Sequence, residues 1–107
     1  MAETTQVPEW IRALDDEDLQ FLRRFLVASG SLKDVAADYG VSYPTVRARL
    51  DRLIAKVQAA SDPRVRTPFE RKVRVLVADN QISPGVAKEL LQAFRATVNG
   101  ANGANHV

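Results

Sequence analysis

A chain of 107 residues, 46% of them apolar and with a formal net charge of +2, is enough for one domain with one core. No apolar run approaches the roughly 18 residues of a membrane span, residues 1–10 lack the basic and apolar blocks of a signal peptide, and the absence of cysteine excludes disulfides and thiol chemistry, so a cytoplasmic protein is expected. Without a glycine-rich phosphate loop, a metal-spaced His or Cys cluster, or a histidine outside the tail, hydrolytic and redox catalysis have no material; no enzyme, cofactor or metal site is expected.

Residues 1–8 are mostly polar and are expected to be disordered. Pro8, Glu9, Trp10, Ile11 and Leu14 read as a short helical turn that lays an indole on the core. Asp15 then caps a helix with Asp16, Glu17 and Asp18 in its first turn, where acids favour the positive end of the helix dipole. Leu19, Leu22, Phe25 and Leu26 form its apolar face, and it ends near Ser29. Ser31 caps the next helix, in which Leu32, Val35, Ala36 and Tyr39 recur at helical spacing. Gly40 stops it, since a residue just past a helix end commonly needs the positive φ that glycine adopts freely. Val41 is expected to plug the corner.

Ser42 caps a third helix, and Pro44 in its first turn forfeits no hydrogen bond because first-turn amides have no intrahelical partner. Val46, Leu50, Leu53, Ile54 and Val57 make its apolar stripe, leaving Tyr43, Thr45, Arg47, Ala48, Arg49, Arg52 and Lys56 open to solvent or a ligand. Residues 58–66 contain Asp62-Pro63 and read as a linker. Thr67-Pro68-Phe69-Glu70 has the form of a capping box and opens a helix with Phe69, Val73, Leu76 and Val77 on one face, ended by Asn80. Residues 72–77 also alternate like a wing strand, but the box and the four-residue spacing favour helix. Ser83-Pro84 starts a last helix, striped by Val86, Leu90, Leu91 and Phe94, to about Val98. The tail at 99–107 is expected to be disordered, with His106 incidental in it.

The expected fold is therefore all-α: a helix-turn-helix three-helix unit over 9–57, the linker, and a C-terminal helical hairpin over 67–98. Small alanine, turn glycine, corner valine, Ser cap and basic second helix fall in the helix-turn-helix order. The run Gly40-Val41-Ser42-Tyr43-Pro44-Thr45-Val46-Arg47-Ala48-Arg49-Leu50 resembles the helix-turn-helix of the factor-for-inversion-stimulation type. That resemblance implies a cap or base contact at Ser42, a phosphate-contacting hydroxyl at Thr45 and phosphate contacts at Arg47 and Arg49. Tyr43 and Ala48 depart from the type, which often has a basic residue at both. More widely, Pro8-Glu9-Trp10-Ile11, Gly30-Ser31-Leu32-Lys33, Ser42 to Arg47 and Ala87-Lys88-Glu89-Leu90-Leu91 are similar to an uncharacterised bacterial family, a domain of unknown function often preceded by a cysteine-rich zinc ribbon. With no cysteine here, nothing about metal carries over.

Charge is uneven along the chain. Residues 1–31 hold three Arg against six acids, whereas residues 42–75 hold nine basic residues against three acids, a surface that attracts a phosphate backbone. The expected activity is binding of double-stranded DNA by a transcriptional regulator. Tyr43, Thr45 and Arg47 would lie nearest base edges, and Arg49, Arg52 and Lys56 on phosphates, with Ser42 at the cap and Arg47 the candidate guanine contact. One such helix buries little surface, so tight binding calls for a homodimer, through the C-terminal hairpin, on half-sites about 34 Å apart. The alternative is a protein-interaction module whose basic face meets a regulatory partner without DNA.

Overall fold

The computed structural model describes residues 6–105, and side chains as far as residue 99. Among these residues the chain is all helical, with six helices and no strand: α1 (Glu9–Arg12), α2 (Asp16–Val27), α3 (Leu32–Tyr39), α4 (Tyr43–Ser61), α5 (Pro68–Ala78) and α6 (Pro84–Asn105). None of the described helices is long and apolar enough to cross a membrane.

Local chemistry sets most of the boundaries. Asp15 accepts from the Asp18 N–H (2.8 Å) while the Asp18 carboxylate accepts from the Asp15 N–H (3.1 Å), closing a capping box at the start of α2. The backbone reverses after α2 through two left-handed residues, Ser29 and Gly30. Ser31 Oγ then accepts from the Asp34 N–H at 3.2 Å to open α3. Gly40 sits at φ 70°, and the chain doubles back so that the Val41 N–H reaches the Ala36 carbonyl at 3.0 Å. Ser42 opens α4 by accepting from the Thr45 N–H at 3.3 Å, and Thr67 opens α5 by accepting from the Glu70 N–H at 3.1 Å. Residues 72–77 lie inside α5, so there is no wing there; Asn80, at φ 61°, turns the chain out of the helix.

The helix-turn-helix core gathers Leu14, Phe21, Leu32, Val35, Ala36, Val46 and Leu53, with Trp10, Leu22, Phe25, Leu50 and Val57 packed on it. Phe21 and Val35 are each only 1% exposed. Several residues expected inside are not. Leu19 and Leu26 lie on the solvent side of α2 because Asp18, Phe21, Leu22 and Phe25 take the inner face, and Val41 and Ile54 are also exposed.

The largest departure lies past Val57. The linker expected at 58–66 begins as helix, because α4 continues through Gln58, Ala59, Ala60 and Ser61 and breaks only at Asp62, the residue that Pro63 keeps out of helical geometry. Helix α5 packs along α4 rather than forming a detached unit. Ala60, Val65, Val73 and Val75 are buried in this part of the molecule. The Arg71 guanidinium donates to the carbonyls of Ala60 (3.2 Å), Asp62 (3.3 Å) and Val65 (2.7 Å), supplying partners at the end of α4 where intrahelical donors run out.

Helix α6 runs antiparallel to α5, with Phe69 and Phe94 stacked at 4.6 Å between ring centroids and Arg95 reaching Glu70 at 3.5 Å. It does not stop at the expected end near Val98 but continues to Asn105; a helix already propagating adds each further residue at little cost, and no proline interrupts it. Gln6–Pro8 have no regular structure. The parts of the terminal segments expected to be disordered that fall at 1–5 and 106–107, His106 included, lie outside the described residues.

Candidate nucleic-acid interface

The start of α4 is an open face of the helix-turn-helix. Ser42, Tyr43, Pro44, Thr45, Arg47 and Ala48 are all exposed, Tyr43 at 53%. Helix α3 and the Gly40 turn hold that face rigidly, because Val46 on its reverse side is 2% exposed and locked in the core. The Ser42 and Thr45 hydroxyls are hydrogen-bonded to each other at 2.8 Å, which presents two oxygens side by side at the helix N-terminus. Pro44 has no N–H and the Thr45 N–H is given to Ser42 Oγ, so the Tyr43 N–H and the positive end of the helix dipole are what point the same way. The place is chemically suited to an anionic oxygen.

The expected basic residues do not share one environment. Arg47 is exposed and reaches Asp51 one turn on at 3.2 Å; both side chains are more than half exposed, so the pair is weak and Arg47 can exchange it for another acceptor. Arg52 is exposed farther along the helix. Arg49 is half-buried: its guanidinium lies 5.6 Å from the centroid of the Phe21 ring and 4.0 Å from the Asp18 carboxylate, turned toward the start of α2. Tyr39 stacks on Phe21 at 6.2 Å and carries Arg24 over its own ring at 4.6 Å, so Phe21 is the centre of a cation and aromatic ladder joining α2, α3 and α4.

Lys56 is the clear correction. Expected on phosphates, it is only 2% exposed. Its ammonium donates to the Asp18 carboxylate and lies 3.4 Å from Asp79 and 3.9 Å from Asp15. Burial pushes its pKa down, but the hydrogen bond and charge of Asp18, helped by Asp79 and Asp15, outweigh that and leave it raised. Lys56 stands three residues after Leu53 and four before Ala60, both buried, and so on an inward row of α4 that exists only because the helix continues to Ser61.

The basic stretch reaching Arg74 likewise divides into local commitments. Arg64 grips Asp62 through two side-chain bonds of 3.0 and 2.9 Å and its own N–H, and these bonds, the side-chain ones foremost, hold the Asp62 carboxyl down at about 2. Arg71 is spent on carbonyls, and Arg74 pairs with Glu70 at 3.0 Å. The structure thus brings Ser42, Tyr43, Thr45 and Arg47 together, leaves Arg52 exposed beside Asp15, Asp18 and Asp79, half withdraws Arg49 and removes Lys56. Lys33, exposed in the first turn of α3, is a further cation of the unit that helical spacing alone does not mark.

Residues 14–60 match the family model described as "Domain of unknown function (DUF2089)-HTH". The match begins at Leu14 and spans α2, α3 and nearly all of α4, so this segment is a helix-turn-helix domain of that family, in agreement with the resemblance read from the sequence. No curated protein and no solved structure matches the chain.

Proposed function

We propose that the protein is a non-catalytic, cytoplasmic DNA-binding regulator of transcription that inserts the start of α4 into the major groove. The observation that carries this reading is the exposed cluster Ser42, Tyr43, Thr45 and Arg47 at the N-terminus of the second helix of a helix-turn-helix domain. In that pose Arg47 leaves Asp51 for the O6 and N7 of a guanine, the Ser42 and Thr45 hydroxyls and the Tyr43 N–H meet a phosphate, and Arg52 and Arg49 meet backbone oxygens farther along. General affinity exceeds sequence preference, because Tyr43 and Ala48 supply little directional hydrogen bonding to base edges.

With Arg49 and Arg52 as the two phosphate-neutralising cations of this pose, the logarithm of affinity should fall with the logarithm of salt at a slope of roughly −2. Anisotropy of a labelled random-sequence duplex at low and moderate salt tests this. Replacing both Arg47→Ala and Arg49→Ala should weaken binding at least tenfold and make the slope shallower by about 1, through the loss of the Arg49 phosphate contact. A native chain that does not bind even at low salt overturns the reading, and salt-sensitive binding that ignores both substitutions places the site elsewhere.

The proposal includes a homodimer through the C-terminal helices. Val86 and Leu90 form an apolar row on the side of α6 away from the rest of the molecule, 46% and 40% exposed. The radius of gyration, 18.1 Å, is well above the ~13 Å of a compact chain of this length, so the helices do not close into one compact body. Sedimentation should show a dimer for the native chain and a monomer for Leu90→Asp; a monomer in both removes this part.

A further inference from the structure

Helices α4 and α6 both pack on α5 but not closely on each other, and between them lies an open groove of about 580 Å³. Its floor is aliphatic, made by Val73 and Val77 of α5 and by Ala87 and Leu91 of α6, with Ala59 of α4 on one wall. Its rim is cationic: Arg74, Lys88 and Arg95. Their charge is only partly cancelled locally. Arg74 and Arg95 share one carboxylate, Glu70, and Lys88 has no acidic partner among the described residues. Asp62, the acid lining the groove, is already held by Arg64.

We infer that this groove is a docking site for an acidic amphipathic helix of a partner protein. The walls are helices whose backbone groups are already satisfied, so they offer no edge to which an extended peptide could hydrogen-bond, whereas a helix brings its own backbone bonds complete. The lining on α6 runs from Pro84 to Arg95, which at 1.5 Å per residue is roughly 16 Å and accommodates about three turns of an incoming helix. Apolar side chains of that helix would cover Val77 and Leu91, and its acids would face Lys88, Arg74 and Arg95. The groove is walled by the last turns of α4, remote from Ser42 to Arg47 on the same helix, so the partner and a duplex can be held at once. Neither the groove nor its test depends on DNA binding.

The test uses the full chain and two labelled 14-residue helical peptides, each with leucines at i, i+3, i+4 and i+7 and differing only in carrying Glu or Lys on the flanks. By anisotropy the Glu peptide should bind at least tenfold more tightly than the Lys peptide. Lys88→Glu, a surface change that leaves the fold intact, should erase most of that preference, and Leu91→Gln should weaken binding of the Glu peptide at unchanged helicity by circular dichroism. Amide shifts of a ¹⁵N-labelled chain on adding the Glu peptide should gather at Ala59, Val77 and Leu91. Equal binding of both peptides, no binding of either, or a groove occupied by a second copy, seen as a dimer that Lys88→Glu dissociates, would overturn the proposal.

Discussion

Lys56→Met is expected to destabilise the protein by about 3 kcal/mol or more, the cost of leaving buried carboxylates without their counter-charge. The Lys56 ammonium is the common partner of Asp15 and Asp18, at the start of α2, and of Asp79, just past α5, and so ties three helices at one atom. The Asp18 and Asp79 side chains are 11% and 19% exposed, so water can relieve only part of the repulsion that the substitution leaves. Urea denaturation followed by circular dichroism measures the loss, and a melting temperature lower by roughly 12 °C or more should accompany it. In the folded fraction the salt dependence of duplex binding should be unchanged, because a buried ammonium releases no counterion. A stability within error of the native chain, or a shallower salt slope, would return Lys56 to the surface role that its charge first suggests.

The pH dependence of this clamp follows from two shifts. The Lys56 pKa is raised above its ordinary 10.5, so its contribution is complete below that value and lost as pH rises through the folded pKa. The Asp15 carboxyl is held below its ordinary 3.8, first by the Asp18 N–H it accepts and then by the charge of Lys56. Its contribution is present above 3.8 and lost as pH falls through the folded pKa. Across neutral pH Lys56 and Asp15 are therefore both charged, and acid below 3.8 weakens the hold of Asp15 on the start of α2.

Phe21→Ala should cost about 3–5 kcal/mol, the range for emptying an aromatic site that cannot collapse. Phe21 is 1% exposed, and besides its place in the core it is the ring on which Tyr39 stacks and over which Arg49 lies. Losing it removes cover from α3 and the support that orients Arg49, so duplex binding should weaken together with stability. Leu26→Ala on the same helix, at a side chain 66% exposed, should change stability by no more than about 0.5 kcal/mol. Chemical denaturation of the two variants checks both. Comparable losses would mean that the inner face of α2 has been assigned wrongly.

The family match and the local chemistry agree on the helix-turn-helix, and the reason is that its signals are short in range. A cap is satisfied within three residues, as Asp15 with Asp18, Ser31 with Asp34, Ser42 with Thr45 and Thr67 with Glu70 show, so the residues that start each helix can be read in isolation. Gly40 is equally local: the left-handed turn requires a particular backbone, whatever packs on it. The same logic settled 72–77, where the Thr67 cap outweighed six residues of alternation.

Apolar spacing was less decisive. It placed Leu19 and Leu26 inside, yet a helix with several apolar rows does not say which row its neighbour will cover, and Phe21 and Asp18 took the inner side. Arginine count misled for a related reason. Arg64 and Arg74 found acids close by in the chain, and Arg71 found carbonyls near the end of α4, so the basic stretch became several separate commitments rather than one face.

The sequence by itself determined where helices begin, where the chain turns and that the start of α4 would be polar, because each depends on bonds closed within one turn of backbone. Only the tertiary structure decided that Lys56 leaves the surface, that Arg49 leans on Phe21, that α5 lies along α4, and that α4 and α6 stand apart over a cationic groove. Those outcomes depend on desolvation and charge pairing between residues as distant in sequence as Asp18 and Lys56, which no local pattern encodes until the helices are in place.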